Sequence, residues 1–136
     1  MNSWKSRCCK GVAFLCLLGS MTLVHAQSIT RGPYLQNATE TSVVVKWRTD
    51  VATDSQVDFG DAPGNLTQST IDSAVVTDHE VTVSGLPSNT LYYYQVGSTS
   101  SVLAGNDSAH SFKTNPVIGS QDPISVWILG DSGNSS

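Results

Sequence analysis

The sequence predicts an all-β chain: a two-sheet β-sandwich of about seven strands, followed by one further strand of a different kind. Short runs of alternating apolar and polar residues fill residues 27–114, at roughly the 8–12-residue spacing of sandwich strands. No stretch carries a convincing 3.6-residue period. Gly, Pro, Asn and Asp stand between the runs, where their backbone preferences make turns.

The chain has 136 residues, enough for one ordinary domain and little more. Its composition, 39% hydrophobic and only 13% charged, is too apolar for disorder. Seven bases against eleven acids give a net charge of −4, which argues against a nucleic-acid or anionic-membrane partner. Residues 1–26 read as a cleaved signal peptide. Lys5, Arg7 and Lys10 precede an apolar run from Val12 to Val24, and Val24-His25-Ala26 places small residues before Gln27. The alternative, a retained membrane anchor, would be short against the roughly 20 apolar residues a span needs. Cys16 has no small residue just before it, as lipid attachment would want. The expected destination is secreted or periplasmic, with no membrane contact after cleavage. Cys8, Cys9 and Cys16 all leave with the leader, so the mature chain has no disulfide or thiolate site. Only Arg31, Lys46, Arg48 and Lys113 then face all eleven acids.

Arg31-Gly32-Pro33-Tyr34-Leu35-Gln36 reads as an edge strand, because Pro cannot donate to a ladder. Residues 42–49 form the clearest strand, with Val43, Val45 and Trp47 on one face and Lys46 and Arg48 on the other. Residues 55–60 repeat the pattern with Val57 and Phe59 inward, and Asp61-Ala62-Pro63-Gly64-Asn65 supplies a turn. Residues 67–76 are polar and fit one or two short edge strands. Residues 79–84 alternate with Val81 and Val83 inward. After a corner at residues 85–90, Tyr92, Tyr94 and Val96 share a face, with Tyr93 on the opposite one. Residues 101–108 read as a hairpin loop, and residues 109–114 close the set with Phe112 inward. Leu86-Pro87 followed by Thr90-Leu91-Tyr92 has the spacing of a tyrosine corner. This part of the chain resembles a fibronectin type III domain. Trp47, Tyr92 and Tyr94 are expected in its core rather than on a carbohydrate-stacking surface.

Residues 115–122 are rich in linker residues, and the pattern changes at Pro123. Ile124-Ser125-Val126-Trp127-Ile128-Leu129 is an apolar run of the kind buried on both faces, and it ends in Gly130-Asp131-Ser132-Gly133. Open sheets place their chemistry just past such strand ends. Asp131 there would be a hard oxygen ligand for a metal, with glycines allowing close approach. Ser132 would alternatively be the nucleophile of a Gly-Asp-Ser esterase, which needs a His and oxyanion donors. A trypsin-like protease loop fits poorly, since such a loop follows the His and Asp it works with. A plain Gly-Asp turn without chemistry is the remaining reading.

The segments 31–36, 42–49, Val57-Asp58-Phe59-Gly60, Gly85-Leu86-Pro87, Tyr92-Tyr93-Tyr94-Gln95-Val96-Gly97 and Ser111-Phe112-Lys113-Thr114 together resemble the amino-terminal domain of purple acid phosphatases. In that family a fibronectin-like domain precedes a metallophosphoesterase domain whose first strand ends in Gly-Asp-x-Gly. The resemblance implies a signal peptide at 1–26, a fibronectin type III-like domain at 27–116, a linker at 117–123 and the truncated start of an α/β metallophosphoesterase domain at 124–136. It implies that Asp131 is a metal ligand in a dinuclear centre of iron with a second iron, zinc or manganese, acting on phosphate ester substrates. One ion would lower the pKa of a bound water and both would neutralise phosphoryl oxygens. It also implies that the sandwich packs on its own catalytic domain. The family's second Gly-Asp-x-x-Tyr motif, its Gly-Asn-His motif and its later His ligands are not in this sequence, and one carboxylate cannot hold two metals. The polypeptide as written is therefore expected to be inactive, a fragment of a longer hydrolase. A non-catalytic binding or spacer module and the Ser132 esterase are the competing functions.

His79 and His110 have no second ligand at metal spacing and are expected at the surface. The acids Asp58, Asp61, Asp72, Asp78 and Glu80 form no calcium loop. Asn37, Asn65, Asn106 and Asn134 head glycosylation sequons, relevant only in a host that glycosylates exported proteins.

Overall fold

The structure, a computed structural model, describes residues 26–121 and 123. The leader and the run ending in Asp131 lie outside the described residues. Six strands and no helix are present among those described: β1 (Ile29–Gln36), β2 (Ser42–Gly60), β3 (Gln68–Ser84), β4 (Leu91–Ser98), β5 (Ser101–Gly105) and β6 (Ser111–Lys113). All pairings are antiparallel. The strands belong to one curled sheet in which β2 pairs with β1, β3 and β4, and β4 pairs in turn with β5 and β6.

The curl comes from two long strands. Residues 42–48 of β2 lie between β1 and the second half of β3, whereas residues 56–60 lie between the first half of β3 and β4. The changeover falls at register shifts between Arg48 and Thr53 and between Thr53 and Ser55. Residues 50–54 (Asp50-Val51-Ala52-Thr53-Asp54) hold no Gly or Pro to stop the strand. The chain bends and continues, as strands do where they pass from one layer of a sandwich to the other. The sequence reading divides β2 and β3 into two strands each, and here each is one. The amino-terminal residues latch this bend: Ser28 donates from its backbone N and its Oγ to the Asp50 carboxylate at 2.8 and 2.7 Å. Those donors, backbone first, hold the Asp50 carboxyl below its ordinary value.

Alternation decides what is buried. Val43, Val45, Trp47, Val81 and Val83 from one half meet Val57, Phe59, Tyr92, Tyr94, Val96 and Phe112 from the other in a single cluster, closed by Leu86. Phe59 meets Tyr92 edge-on at 6.0 Å, and Tyr92 stacks on Phe112 at 5.5 Å between centroids. β1 is an edge strand, as expected, with register shifts between Ile29 and Arg31 and between Arg31 and Tyr34, where Pro33 interrupts the ladder.

Two local readings change. Residues 101–108 are not a single loop: Ser98 pairs with Ser101 across a tight turn, and residues 101–105 form β5. Val102, Leu103 and Ala104 are apolar enough to extend the sheet, and only Asn106 onward is loop. The corner at residues 85–90 is held by Thr114, whose hydroxyl donates to the Pro87 carbonyl at 2.7 Å and accepts from the Thr90 N–H at 2.9 Å. No tyrosine-corner bond from Tyr92 is found among the described residues, and the threonine serves in its place.

Candidate functional site

Asp131 and Ser132, the sequence-derived ligand and its alternative nucleophile, lie outside the described residues. Among the described residues no group of three or more His, Cys, Asp or Glu side chains stands close enough to hold a metal ion. No described helix is long and apolar enough to cross a membrane. Interacting polar and charged side chains gather at three places on the sandwich.

The first is the outer face of β1, β2 and β3. Arg31, Lys46 and Arg48, three of the four bases beyond residue 26, surround one cavity of about 270 Å³ together with Tyr34, Asp78 and Glu80. The register explains it: Lys46 lies opposite Glu80 and Arg48 opposite Asp78, so each base meets an acid across the ladder. Lys46 Nζ is 2.6 Å from Glu80 Oε2, and Arg48 Nε is 3.2 Å from Asp78 Oδ1. The hydrogen bond to Glu80 raises the Lys46 pKa. Arg31 lies over the Tyr34 ring, 4.7 Å from its centroid. Two of these three charges are neutralised locally. The face is a cross-strand ion-pair ladder with no nucleophile set against a base.

The second is a buried polar cluster, and it corrects the expectation for His79. That side chain is only 1% exposed. It shares the inward phase of Val81 and Val83, two and four residues on, which places it in the core. Its ring lies against Trp47, with Nε2 2.8 Å from Thr49 Oγ1 and Nδ1 2.8 Å from Ser55 Oγ. The Thr49 hydroxyl spends its hydrogen on the Val51 carbonyl at 2.8 Å, so it accepts from His79. Nε2 then carries the proton, and Nδ1 accepts from Ser55. Desolvation lowers the His79 pKa, with Asp78 and Asp54 opposing the shift. A neutral, fully bonded imidazole beneath the sheet is a structural group without access to substrate. His110, half-buried, is bonded through Nδ1 to Asp107 at 2.8 Å.

The third place is the exit of the chain. Asn115 donates from its backbone N to the Thr39 carbonyl and from its side chain to the Ala38 carbonyl, both at 2.9 Å. The Ile118 N–H donates to Glu40 Oε1 at 2.6 Å. The expected linker thus begins as a segment bonded to the turn after β1. Nothing in its composition signals this, because the ties come from residues almost eighty positions upstream.

The family model described as the purple acid phosphatase N-terminal domain matches residues 32–114, from β1 through the threonine that closes β6. The chain belongs to this family. The match covers the sandwich core, the ion-pair face apart from Arg31, and the His79 cluster, and stops short of the exit beyond Thr114. Among solved structures, a fibronectin type III domain derived from the human KIAA0970 protein aligns at 16% identity with a TM-score of 0.50, covering 79% of this chain and 86% of that one. The sixth fibronectin type III domain of human fibronectin type III domain containing protein 3 aligns at 21% identity, TM-score 0.42, over 71% and 90%. A sensor domain of an anti-sigma factor from Pseudobacteroides cellulosolvens aligns at 15% identity, TM-score 0.47, over 68% and 95%. At such identities the human domain with the highest of these scores is similar in fold alone. No curated protein aligns significantly with the chain.

Proposed function

We propose that this chain is the amino-terminal part of an exported, metal-dependent acid phosphatase that hydrolyses phosphate monoesters at a dinuclear metal centre. The family match over residues 32–114 carries this reading. Gly130-Asp131-Ser132-Gly133, placed just beyond the sandwich, supports it. In this reading residues 27–116 are the accessory domain, residues 117–123 the connection and residues 124–136 the start of the catalytic unit, with Asp131 as one ligand. The basic leader directs export. The described residues do not themselves fit a metal centre, so the sandwich serves as a scaffold and contributes no ligand set.

Reading the coding sequence past Ser136 tests the proposal. A Gly-Asp-x-x-Tyr motif and a Gly-Asn-His motif are expected downstream, and their absence overturns it. The product of that reading frame should hydrolyse para-nitrophenyl phosphate at acid pH, lose activity to a chelator and lose it again on Asp131→Asn. Chelator-resistant activity with labelling of Ser132 by a fluorophosphonate would establish the esterase instead.

A further inference from the structure

We propose that the outer face of β1 and β2 binds a phosphate-type oxyanion, held between the guanidinium groups of Arg31 and Arg48. The site is the cavity of about 270 Å³ bordered by Arg31, Tyr34, Lys46, Arg48, Asp78 and Glu80, among others. It requires no phosphatase activity in the chain.

An irregularity of register builds this face. Arg31 and Tyr34 are three positions apart, and an odd spacing puts two residues of a regular strand on opposite faces. Here Arg31 lies opposite Arg48 and Tyr34 opposite Lys46, so β1 spends three residues where β2 spends two. The extra residue is a bulge, and it re-aims Arg31 onto the face that Tyr34 occupies. The Arg31 guanidinium accordingly lies over the Tyr34 ring, 4.7 Å from its centroid. Two rows then cross the three strands: Arg31, Arg48 and Asp78 in one, Tyr34, Lys46 and Glu80 in the other.

The first row sets two like charges directly opposite each other, which costs stability when nothing lies between them. One acid serves both. Asp78 meets Arg48 at Nε, and a single carboxylate does not exhaust a guanidinium with five donors. Arg31 has no ion pair among the described residues, and the Tyr34 ring is its contact on this face. Three bases thus meet two acids around the cavity, an excess of positive charge in a stretch where four bases face eleven acids beyond residue 26. An anion between the arginines relieves their repulsion and takes the unspent donors. The donors also select its shape. A carboxylate has two oxygens, which one guanidinium occupies in its fork, whereas a phosphate group has enough oxygens to engage both arginines. Lys46, held by Glu80 at 2.6 Å, adds charge at the margin without leaving its partner. The volume lies near the lower end of small-ligand pockets, about 300 Å³, so the ligand is a free ion or a small ester.

Titration of the 136-residue chain with inorganic phosphate tests the site, at constant ionic strength made up with sodium chloride. The Nε–H resonances of Arg31 and Arg48 should shift together and saturate at millimolar phosphate, while the Lys113 amide stays in place. Arg31 is exposed, so Arg31→Gln should keep the amide spectrum of the core and weaken binding several-fold. Arg31→Lys should recover only part of that loss, because it restores the charge without the fork. Phenyl phosphate separates the two sources of the group: tighter binding than inorganic phosphate assigns the cavity to an ester, and equal or weaker binding assigns it to the free ion. Shifts that never saturate, that chloride alone reproduces, or that persist undiminished in Arg31→Gln overturn the site. A chelator should change none of these readings. Loss of the phosphatase reading therefore leaves the site intact, and unmoved arginines in an active phosphatase sink only the site.

Discussion

The imidazole of His79 lies flat against the indole of Trp47, with ring centroids 4.7 Å apart and planes 6° from parallel. The two residues are directly opposed in the β2–β3 register, so the stack is a cross-strand pair turned inward. It sits where both long strands approach their bend, and the hydroxyls of Thr49 and Ser55 bond the ring from the two sides of that bend.

This pair makes stability depend on pH. Burial holds the folded-state pKa of His79 below the ordinary 6.5. The unfolded chain therefore takes up the proton first as pH falls, and the folded state loses stability from about pH 6.5 downward until the folded pKa is reached. Above that window the contribution is fully present. The lowered carboxyls of Asp50, Asp58 and Asp107 act in the same direction, but below their ordinary 3.8. For Asp58, burial opposes the shift and is outweighed by hydrogen bonds from Gln56, Gln95 and Ser69. Urea midpoints measured between about pH 5 and pH 8 should fall on the acid side for the parent and stay nearly flat for His79→Gln. An unchanged slope in the variant would remove His79 as the source.

Trp47 makes a second prediction through its nitrogen. It is 2% exposed, and its Nε1 is buried without a hydrogen-bond partner. Truncation to Ala leaves a cavity beside His79 and should cost about 3–5 kcal/mol. Trp47→Phe keeps an aromatic face for the stack and deletes the orphaned donor, whose desolvation costs about 1–3 kcal/mol. Its penalty should be well under half that of the alanine variant in urea melts at pH 8. Equal penalties would mean that the indole N–H is satisfied in solution.

Much of this core is legible in the alternation of residues 42–49 and 79–84 and in Tyr92 and Tyr94, because a period of two assigns faces without reference to the partner strand. His79 shows where the method stops. Its phase with Val81 and Val83 places it inside, while its chemistry suggests the surface. Phase prevails because Thr49 and Ser55, themselves inward by the same alternation, satisfy both nitrogens. The continuity of β2 through residues 50–54 is illegible because a bend needs no Gly or Pro when polar residues can bond across it. Bonds such as Glu40 to Ile118 depend on which ends of the sandwich meet, and no local pattern encodes that. Asp131 is legible as a candidate ligand from its motif alone, and its geometry lies outside the described residues.

Thr114 carries a third prediction. It is 2% exposed and is the hub of the corner, bonding Pro87 and Thr90 through one hydroxyl. Thr114→Val keeps the shape and removes both bonds, leaving a carbonyl and an amide unpaired in a half-buried corner. The expected cost is about 1–3 kcal/mol. Amide exchange should localise the loss: Thr90 should exchange faster, while Val45 and Val81 change only with global stability. A uniform change across the sandwich would mean that the corner does not open separately.

The β4–β5 turn supplies the last prediction. Gly97 is buried where the register shifts between β4 and β5, and a Cβ there would overlap the Ser101 carbonyl oxygen. Backbone cannot step aside as a flexible side chain does, so Gly97→Ala must displace β5 from β4. Overpacking of this kind costs about 1–3 kcal/mol. Gly32, by contrast, has nothing within 4 Å of the position its Cβ would take, and Gly32→Ala at this exposed edge should stay within about 0.5 kcal/mol of the parent. Chemical shifts of residues 101–105 should move in Gly97→Ala and remain in place in Gly32→Ala. If the two variants melt together, the close approach of β5 to β4 is not rigid, and the bulge at Gly97 is a matter of sequence convenience rather than of packing.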